Sequence, residues 1–432
     1  MSSPIDLGRF KMPAHGHDIR DGFIDTCQVC GSANLEPVID LGHQPLCDSL
    51  LSREQLNAPE KTFPLRLVRC PDCTLNQLDY AVPGTEVYHL DYPYRSGITR
   101  EVVTHMQGLA AECVDRLGLD GESMVLDIGC NDGTLLNAFK QRGVRTLGVE
   151  PTNVARIAVD AGVEVIQSFF TEELGEDIRK EHGAASCITA TNVFAHMAPL
   201  GEVMRGVSAL LADRGHFVCE VHYLPAILRK TQYDSIYHEH LRSYTLQSLV
   251  VLFHLYGFSV VHAEVMSRYS GTVRVFARKQ KDASPGPEVS RLLAEESALG
   301  LASEDVYSRF RERVEISRWD LLELAFDAKR KGHSFVGNSC PGRCSTLINY
   351  VGIDRSLMPY ICEQPTSLKL GLHLPGEHIP VVDNRCLERE QPDYIVLLAW
   401  HYAEPITREL RERGIRSRLV IPLPEVKIES AD

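Results

Sequence analysis

Residues 235–244 read SIYHEHLRSY and place Tyr237, His238, Glu239, His240 and Tyr244 within ten positions. Histidine titrates near pH 6.5, close enough to neutrality to take a proton and return it. A carboxyl or a phenol beside it can orient the ring or hold a developing charge. The same residue types also build ordinary polar loops, so the run poses a choice between proton transfer and scaffold. What surrounds it bears on that choice.

Upstream, SMVLDIGCNDGTLLNAFKQRGVRTLGVEPT reads as a buried apolar strand, a glycine turn, an amphipathic helix and a second strand ending in an acid. Gly129 and Gly133 let the backbone approach a ligand, and Glu150 can accept hydrogen bonds from both hydroxyls of a ribose. The third glycine of the dinucleotide fingerprint is missing, which favours S-adenosylmethionine (SAM) over NAD. The expected cofactor contacts are the backbone at Gly129, Asn131 and Gly133, with Glu150 on the ribose. Asp127 would orient the turn or the methionine amine, Asn192 would lie beside the ligand, and Asp132 either caps the helix or touches SAM.

Two later strands fit the same sheet. ASCITATNVFAHM runs into a loop carrying Asn192 and His196, and GHFVCEVHY ends near Glu220 and His222. Ligands of open α/β sheets bind beyond the carboxyl ends of the strands, so both loops face the cofactor pocket. His222 either stacks on a ligand or caps a loop, and His238, on the opposite side of an extended stretch from Glu239, reads as structural.

Before this region stand CQVC and CPDC, giving Cys27, Cys30, Cys70 and Cys73. Each C-x-x-C sets two thiolates on one side of a tight turn, and two such knuckles complete a tetrahedral Zn²⁺ shell. With four thiolates the shell has no place for a catalytic water, so the metal is structural. The 39 residues between the pairs must form a small subdomain.

After the linker-like KDASPGPE comes a helical stretch rich in Glu, Arg and Leu. HSFVGNSCPGRCSTLINYVGI and PDYIVLLAW then repeat the strand, glycine turn, helix and strand pattern. The turn around Gly337, Gly342, Arg343 and Ser345 could hold a diphosphate at a helix N-terminus, or be a duplicated scaffold with an empty crevice. The fold class is therefore α/β in three domains. Residues 1–85 form a small zinc-binding domain, 86–284 a Rossmann-like SAM-binding domain, and 285–432 a second Rossmann-like domain.

Hydrophobic residues at 44% and charged ones at 24% match a folded globular chain of 432 residues. A formal charge of −13 argues against a nucleic-acid partner. The N-terminal stretch lacks an apolar h-region and no run of about 18 apolar residues follows, so the cytoplasm is expected, without a membrane partner. Thirteen cysteines in such a chain point to reduced thiols and metal ligands rather than disulfides.

Taken in order, LGHQPLCDSLL, YPYRSGIT, LDIGCNDGTLL, TNVFAHM, YHEHLRSYT, LINYVGI and LPGEHIPV make the chain resemble the sugar C-methyltransferases that act on nucleotide-linked 4-keto-deoxyhexoses in antibiotic sugar pathways. The resemblance covers nearly the whole chain. It implies structural zinc, SAM in the middle domain, and a sugar nucleotide between domains with its nucleotide end in the last. It also implies His240 as the base that removes a proton beside the ketone, with Glu239 orienting an imidazole or a sugar hydroxyl. Tyr237 and His196 would help stabilise the enolate, and Tyr92 or Tyr94 of YPY would close the site. His222, Arg343, Ser345, Asn349 and Glu363 are the residues expected on the substrate.

The chain departs from the family pattern at Cys47 and Asp48, where a small residue and Asn are usual. It departs again at Arg343, in a turn that usually bears Lys, at Glu363, where Asp is expected, and at Ser96 and Gly97, where a double serine is more usual. Methylation is expected at C3, with C5 as the alternative, and a monomer is compatible with the sequence. An O- or N-methyltransferase with the same SAM fold is one rival reading. A zinc-knuckle binding module with a vestigial SAM pocket is the other.

Overall fold

The computed structural model of the chain describes residues 5–87, 95–98, 100–267 and 271–430. Three sheets of four, seven and six strands carry the architecture, beside a two-stranded ribbon. In the first, β1 (Glu36–Gln44), β2 (Phe63–Arg69) and β3 (Asn76–Leu78) run antiparallel. Leu65 and Leu67 are buried on either side of the half-exposed Arg66, the period-two pattern of a strand with one covered face. This hairpin fills the interval between the two cysteine pairs.

The second sheet contains β4 (Met124–Ile128), β5 (Arg145–Val149), β6 (Val165–Ile166), β7 (Ala185–Thr191) and β8 (Leu211–His222). These five are parallel, in the order β8-β7-β4-β5-β6. All five residues of β4 are buried, as a central parallel strand covered on both faces requires. The helices α1 (Arg100–Leu117) and α2 (Thr134–Lys140) provide part of that cover. Past β8, the chain gives β9 (Arg242–Ser243) to the first sheet, antiparallel to β3, and then returns to pair β10 (Ser259–Met266) and β11 (Thr272–Arg278) onto the edge at β8. YHEH therefore sits where the chain leaves one sheet to join another.

The third sheet has the order β14-β13-β12-β15-β16-β17, from β12 (Phe335–Asn338), β13 (Ile361–Glu363), β14 (Val381–Asp383), β15 (Tyr394–Leu397), β16 (Arg418–Ile421) and β17 (Lys427–Glu429). All pairs are parallel except the last. Between β12 and β13 lies α3 (Arg343–Val351), the counterpart of α2. The chain reaches this sheet through the long helix Glu304–Arg330, which buries Tyr307, Phe310, Val314, Leu321, Ala325 and Ala328 at helical spacing.

The apolar interior does not respect the sheet boundaries. Leu65 and Leu67 of β2 share one cluster with Leu224 and Ile236 of the middle region and with Phe310 and Leu347 of the last. Tyr307 Oη also donates to Asn76 Oδ1 at 3.1 Å, and Arg69 Nη1 to Ala302 O at 2.7 Å. At about 1.5–3 kcal/mol for each large apolar side chain buried, this shared core fixes the three sheets against one another.

Candidate active site

The two knuckles converge. The Sγ atoms of Cys27 and Cys73 lie 3.5 Å apart, as do those of Cys30 and Cys70, and all four fall within 4.8 Å of one another. Zn–S bonds of about 2.3 Å arranged tetrahedrally need sulfurs roughly 3.8 Å apart, so the set fits zinc and closes its shell. Each turn is completed by a residue of positive φ, Gly31 and Thr74, and the amides of Val29 and Cys30 donate to Cys27 Sγ. Glu112, His262 and Glu264 also converge, but Arg274 and Arg116 donate into Glu112, so cations of the chain already hold that group.

At the carboxyl end of β4 the glycine turn has the shape of a cradle. Gly129 and Gly133 have φ of +72° and +77°, and a Cβ on them would lie 2.8 Å from Val193 Cγ1 and 2.9 Å from Ala158 Cβ respectively. Asn131 and Asn192 also adopt positive φ, the left-handed region that asparagine enters more readily than other L residues. Asn192 Oδ1 is buried without a hydrogen-bond partner, an acceptor left for a donor the chain does not supply. The residues present thus fit SAM.

Glu150 Oε2 accepts from the Asn131 amide at 3.0 Å, and Oε1 accepts from the Thr152 amide and hydroxyl at 3.0 and 2.7 Å. The carboxylate therefore braces the turn, with Oε1 taken twice by Thr152 and Oε2 once by Asn131. Asp127 is buried against Thr189, whose hydroxyl donates to it at 2.6 Å, and burial pushes its pKa up to about 7. Asp132 accepts from Thr134 at the start of α2 and from the Gly97 amide, while the Ser96 amide donates to Asn131 Oδ1 at 2.9 Å. Segment 95–98 is therefore seated on the cradle. Glu220 is taken up by His105 and Arg274.

YHEH is a turn rather than an extended stretch, because the His240 amide donates back to Tyr237 O at 2.8 Å. This corrects the expected alternation of His238 and Glu239 across a strand. The turn folds Tyr237 over His240, with ring centroids 3.9 Å apart, and sends His238 away to Phe63, whose carbonyl lies 3.3 Å from its Nε2. His222 from the end of β8 and His196 from the loop after β7 complete the cluster, with centroids 4.4 and 4.9 Å from that of His240. Tyr92 and Tyr94 lie outside the described residues.

His240 Nδ1 stands 2.7 Å from Ser235 O. A carbonyl only accepts, so Nδ1 carries the proton and Nε2 presents its lone pair. Burial, then the neighbouring His222, His196 and Arg343, holds the imidazole well below its ordinary pKa, and burial brings His196 down to about 4. Both rings are neutral near pH 7. Glu239 moves the other way, raised by burial and by Asp48 against the pull of Lys369, so its carboxyl tends to keep its proton. Its Oε2 lies 4.0 Å from His196 Nδ1, beyond hydrogen-bond reach.

The second glycine turn is filled from within. Arg343 Nε and Nη2 donate to both oxygens of Asp234 at 2.8 and 2.7 Å, and the guanidinium lies over the Trp400 ring. Ser345 is buried in α3, and Asn349 Nδ2 donates to Ser345 O and Pro375 O. Glu363 accepts from the Cys340 and Gln364 amides, each at 2.8 Å. Asp48 lies against Gly342 and pairs with Lys369, whose Nζ also donates to Cys340 O.

Sequence reading passed over Asp234, Lys369, Trp400 and His401. His401 acts electrostatically with Arg343 and His222 and belongs to the same neighbourhood. Trp400 and His401 follow the carboxyl end of β15, so the strand-end rule applied to PDYIVLLAWHY would have found them. Asp234 and Lys369 carried no motif.

Three family models match the chain: a zinc binding domain over residues 27–88, a methyltransferase domain over 102–263, and a C-methyltransferase C-terminal domain over 268–424. C-methyltransferase NovU of Streptomyces niveus is 36% identical over 414 residues, 95% of this chain and 98% of that one. Ubiquinone biosynthesis O-methyltransferase of Cronobacter sakazakii is 29% identical over 104 residues, 23% of this chain and 42% of its own. Among solved structures, a Burkholderia thailandensis 1,6-didemethyltoxoflavin-N1-methyltransferase with S-adenosylhomocysteine covers 41% of this chain and 78% of its own at 21% identity and a TM-score of 0.33. Among the described residues no helix is long and apolar enough to cross a membrane. With the cysteine shell, the cradle and near full-length likeness together, the chain belongs to the C-methyltransferase family, as a SAM-dependent methyltransferase with an N-terminal structural zinc site.

Proposed function

We propose that the protein methylates carbon beside the ketone of a nucleotide-linked 4-keto-deoxy sugar, at C3, with C5 as the alternative position. One observation carries this reading. The Ser235 carbonyl fixes the His240 tautomer and leaves Nε2 as a lone pair in a buried cluster with Tyr237, His196 and Glu239. Nε2 removes the acidic proton next to the carbonyl. As negative charge grows on the carbonyl oxygen, Coulomb attraction raises the proton affinity of the nearby imidazole, offsetting the depression that burial imposes. Tyr237 and His196 stabilise the oxyanion, and a protonated Glu239 donates to it or to a sugar hydroxyl. SAM supplies the electrophilic methyl group, held by the 129–133 turn, Asp127, Glu150 and Asn192.

A cavity of about 880 Å³ supports a place for the sugar nucleotide. It is lined from all three regions, including Asp48, Arg95, Arg156 and Lys369, and Asp48 and Lys369 adjoin Glu239. His222, Ser345, Asn349 and Glu363 are proposed to meet the substrate beyond this cavity, with Arg343 standing behind them on Asp234 and Tyr92 or Tyr94 closing the site. The proposal extends to domain boundaries near residues 85 and 285, a cytoplasmic monomer, and a place in the synthesis of a branched antibiotic sugar.

Two measurements test it. Incubated with a thymidine diphospho-4-keto-6-deoxyhexose in D₂O without SAM, the enzyme should wash deuterium into the carbon beside the ketone. His240→Asn should keep SAM binding and lose about 10²- to 10⁴-fold in turnover. Absence of exchange together with methyl on oxygen or nitrogen sinks the C-methyl reading in favour of an O- or N-methyltransferase.

A further inference from the structure

Arg343 is the first residue of α3, beside the second glycine turn, where a guanidinium would ordinarily be read as a phosphate ligand. Its environment shows a different use. Both Asp234 oxygens take a hydrogen bond from it, Nη2 also reaches Gln232 Oε1 at 3.2 Å, and Trp400 Nε1 donates to Asp234 Oδ2 at 2.8 Å. Arg343, Asp234, Gln232 and Trp400 are all buried. A buried, bidentate, fully partnered ion pair fixes geometry far more than it adds stability.

What it fixes is the loop that holds the base. Asp234 is followed by Ser235, whose hydroxyl donates to Gln232 O at 2.7 Å and whose carbonyl accepts the His240 Nδ1 proton at the same distance. On the other side Thr346 Oγ1, also from α3, donates to Ile236 O at 3.3 Å. The loop 232–236 is thus gripped at three alternate residues, Gln232, Asp234 and Ile236, by α3 and by Trp400 after β15.

We propose that Arg343 and Trp400 are positioning residues for the methyl transfer. Through Asp234 they aim the Ser235 carbonyl at His240 Nδ1 and so hold Nε2 in its unprotonated, reactive tautomer. This assigns the third sheet a part in the chemistry besides any part in binding. The inference rests on the reading of His240 as the base. The other groups facing that imidazole are His222 from β8, His196 from the loop after β7, and Tyr237 and Glu239 from its own turn.

The test uses the full-length zinc-loaded enzyme with SAM and a thymidine diphospho-4-keto-6-deoxyhexose as probe. Kinetics and ¹⁵N imidazole spectra are read for wild type, Arg343→Gln, Trp400→Phe and His240→Asn. Arg343→Gln should lose about 10- to 100-fold in kcat, the usual cost of removing a residue that orients a reactive imidazole, with KM for the probe little changed. Losing a nearby cation also moves the acidic limb of its kcat profile to higher pH. Trp400→Phe keeps the ring and loses the donor, and its kcat should fall less, by about tenfold.

The ¹⁵N spectra need no turnover. They should show His240 as one Nδ1–H tautomer in wild type and as a mixture in Arg343→Gln. Where that variant does not fold, Asp234→Asn with Arg343→Gln replaces the ion pair by two amides and is expected to show the same loss. A folded variant with unchanged kcat and tautomer and a raised KM overturns the proposal and makes Arg343 a substrate ligand. Normal turnover in His240→Asn defeats the reading of the base itself, an outcome the Arg343 data cannot mimic.

Discussion

The molecule builds the same strand, glycine turn and helix twice and uses the two copies differently. In both, an acid at the end of the next strand accepts an amide of the turn: Glu150 from Asn131 at 3.0 Å, Glu363 from Cys340 at 2.8 Å. The first turn has room only for glycine: a Cβ on Gly129 or Gly133 would strike Val193 or Ala158, and Asn192 Oδ1 lacks a partner. The second is plugged by the chain itself, with Asp48 against Gly342, Lys369 on Cys340 O, and Arg343 turned onto Asp234. A helix N-terminus attracts anions whatever their source, and here an internal carboxylate lies beside it. A turn of this kind is thus a ligand cradle only where no side chain of the chain occupies it first.

The sharpest way to break this contrast is to fill each turn. Gly129→Val places a β-branched residue at φ +72° with its Cβ 2.8 Å from Val193, a doubly forbidden position. SAM affinity by calorimetry should fall at least about 100-fold, some 2.7 kcal/mol. Gly342→Ala meets only the Asp48 carboxylate at a helical φ of −49°, so SAM affinity should stay near wild type. Equal loss in both would erase the distinction between cradle and plug.

How far the sequence carried this picture differs between the two copies. The zinc knuckles, β4, the first turn and Glu150 were legible because each is a local pattern whose spacing dictates geometry within about 25 residues. At the second turn the strand and helix were equally legible, but the occupant was not. Asp48 arrives from nearly 300 positions upstream, and no periodicity relates it to Lys369. YHEH lay between these cases: its residue types posed the choice between proton transfer and scaffold, while the turn that folds Tyr237 onto His240 depends on β9 leaving to join β3. Residue types thus posed the question, and long-range topology determined the partners.

A second test opens the plug. Asp48→Ala leaves Lys369 with a carbonyl and no counter-charge. Breaking a fully buried pair costs about 3–5 kcal/mol, and because both side chains keep some exposure here the loss should be nearer about 2 kcal/mol. That corresponds to a fall of about 2 °C in Tm by calorimetry, with SAM affinity little affected. Asp48→Ala with Lys369→Met should recover most of it, since no charge is then stranded. Failure of the double variant to recover would mean that Asp48 supports the second turn by packing, and the electrostatic account of the plug would be wrong.

The smallest effect is on pH dependence, where the two copies meet at the histidine cluster. His196 comes from the sheet of the cradle and Arg343 from the helix of the plug, and both act with burial on His240 to lower its pKa. Burial penalises the charged imidazolium, so the ring releases its proton at a lower pH than in water and stays competent as a base further into acid. With His196 brought to about 4 and His240 displaced in the same direction, kcat/KM should remain flat as pH falls from 7.5 to about 6, and its acidic limb should lie below the ordinary imidazole value of about 6.5. A limb at 6.5 or above would show an imidazole in contact with water during turnover. In that case the enclosure made by the third sheet is open in the working enzyme, and the plug serves the resting fold alone.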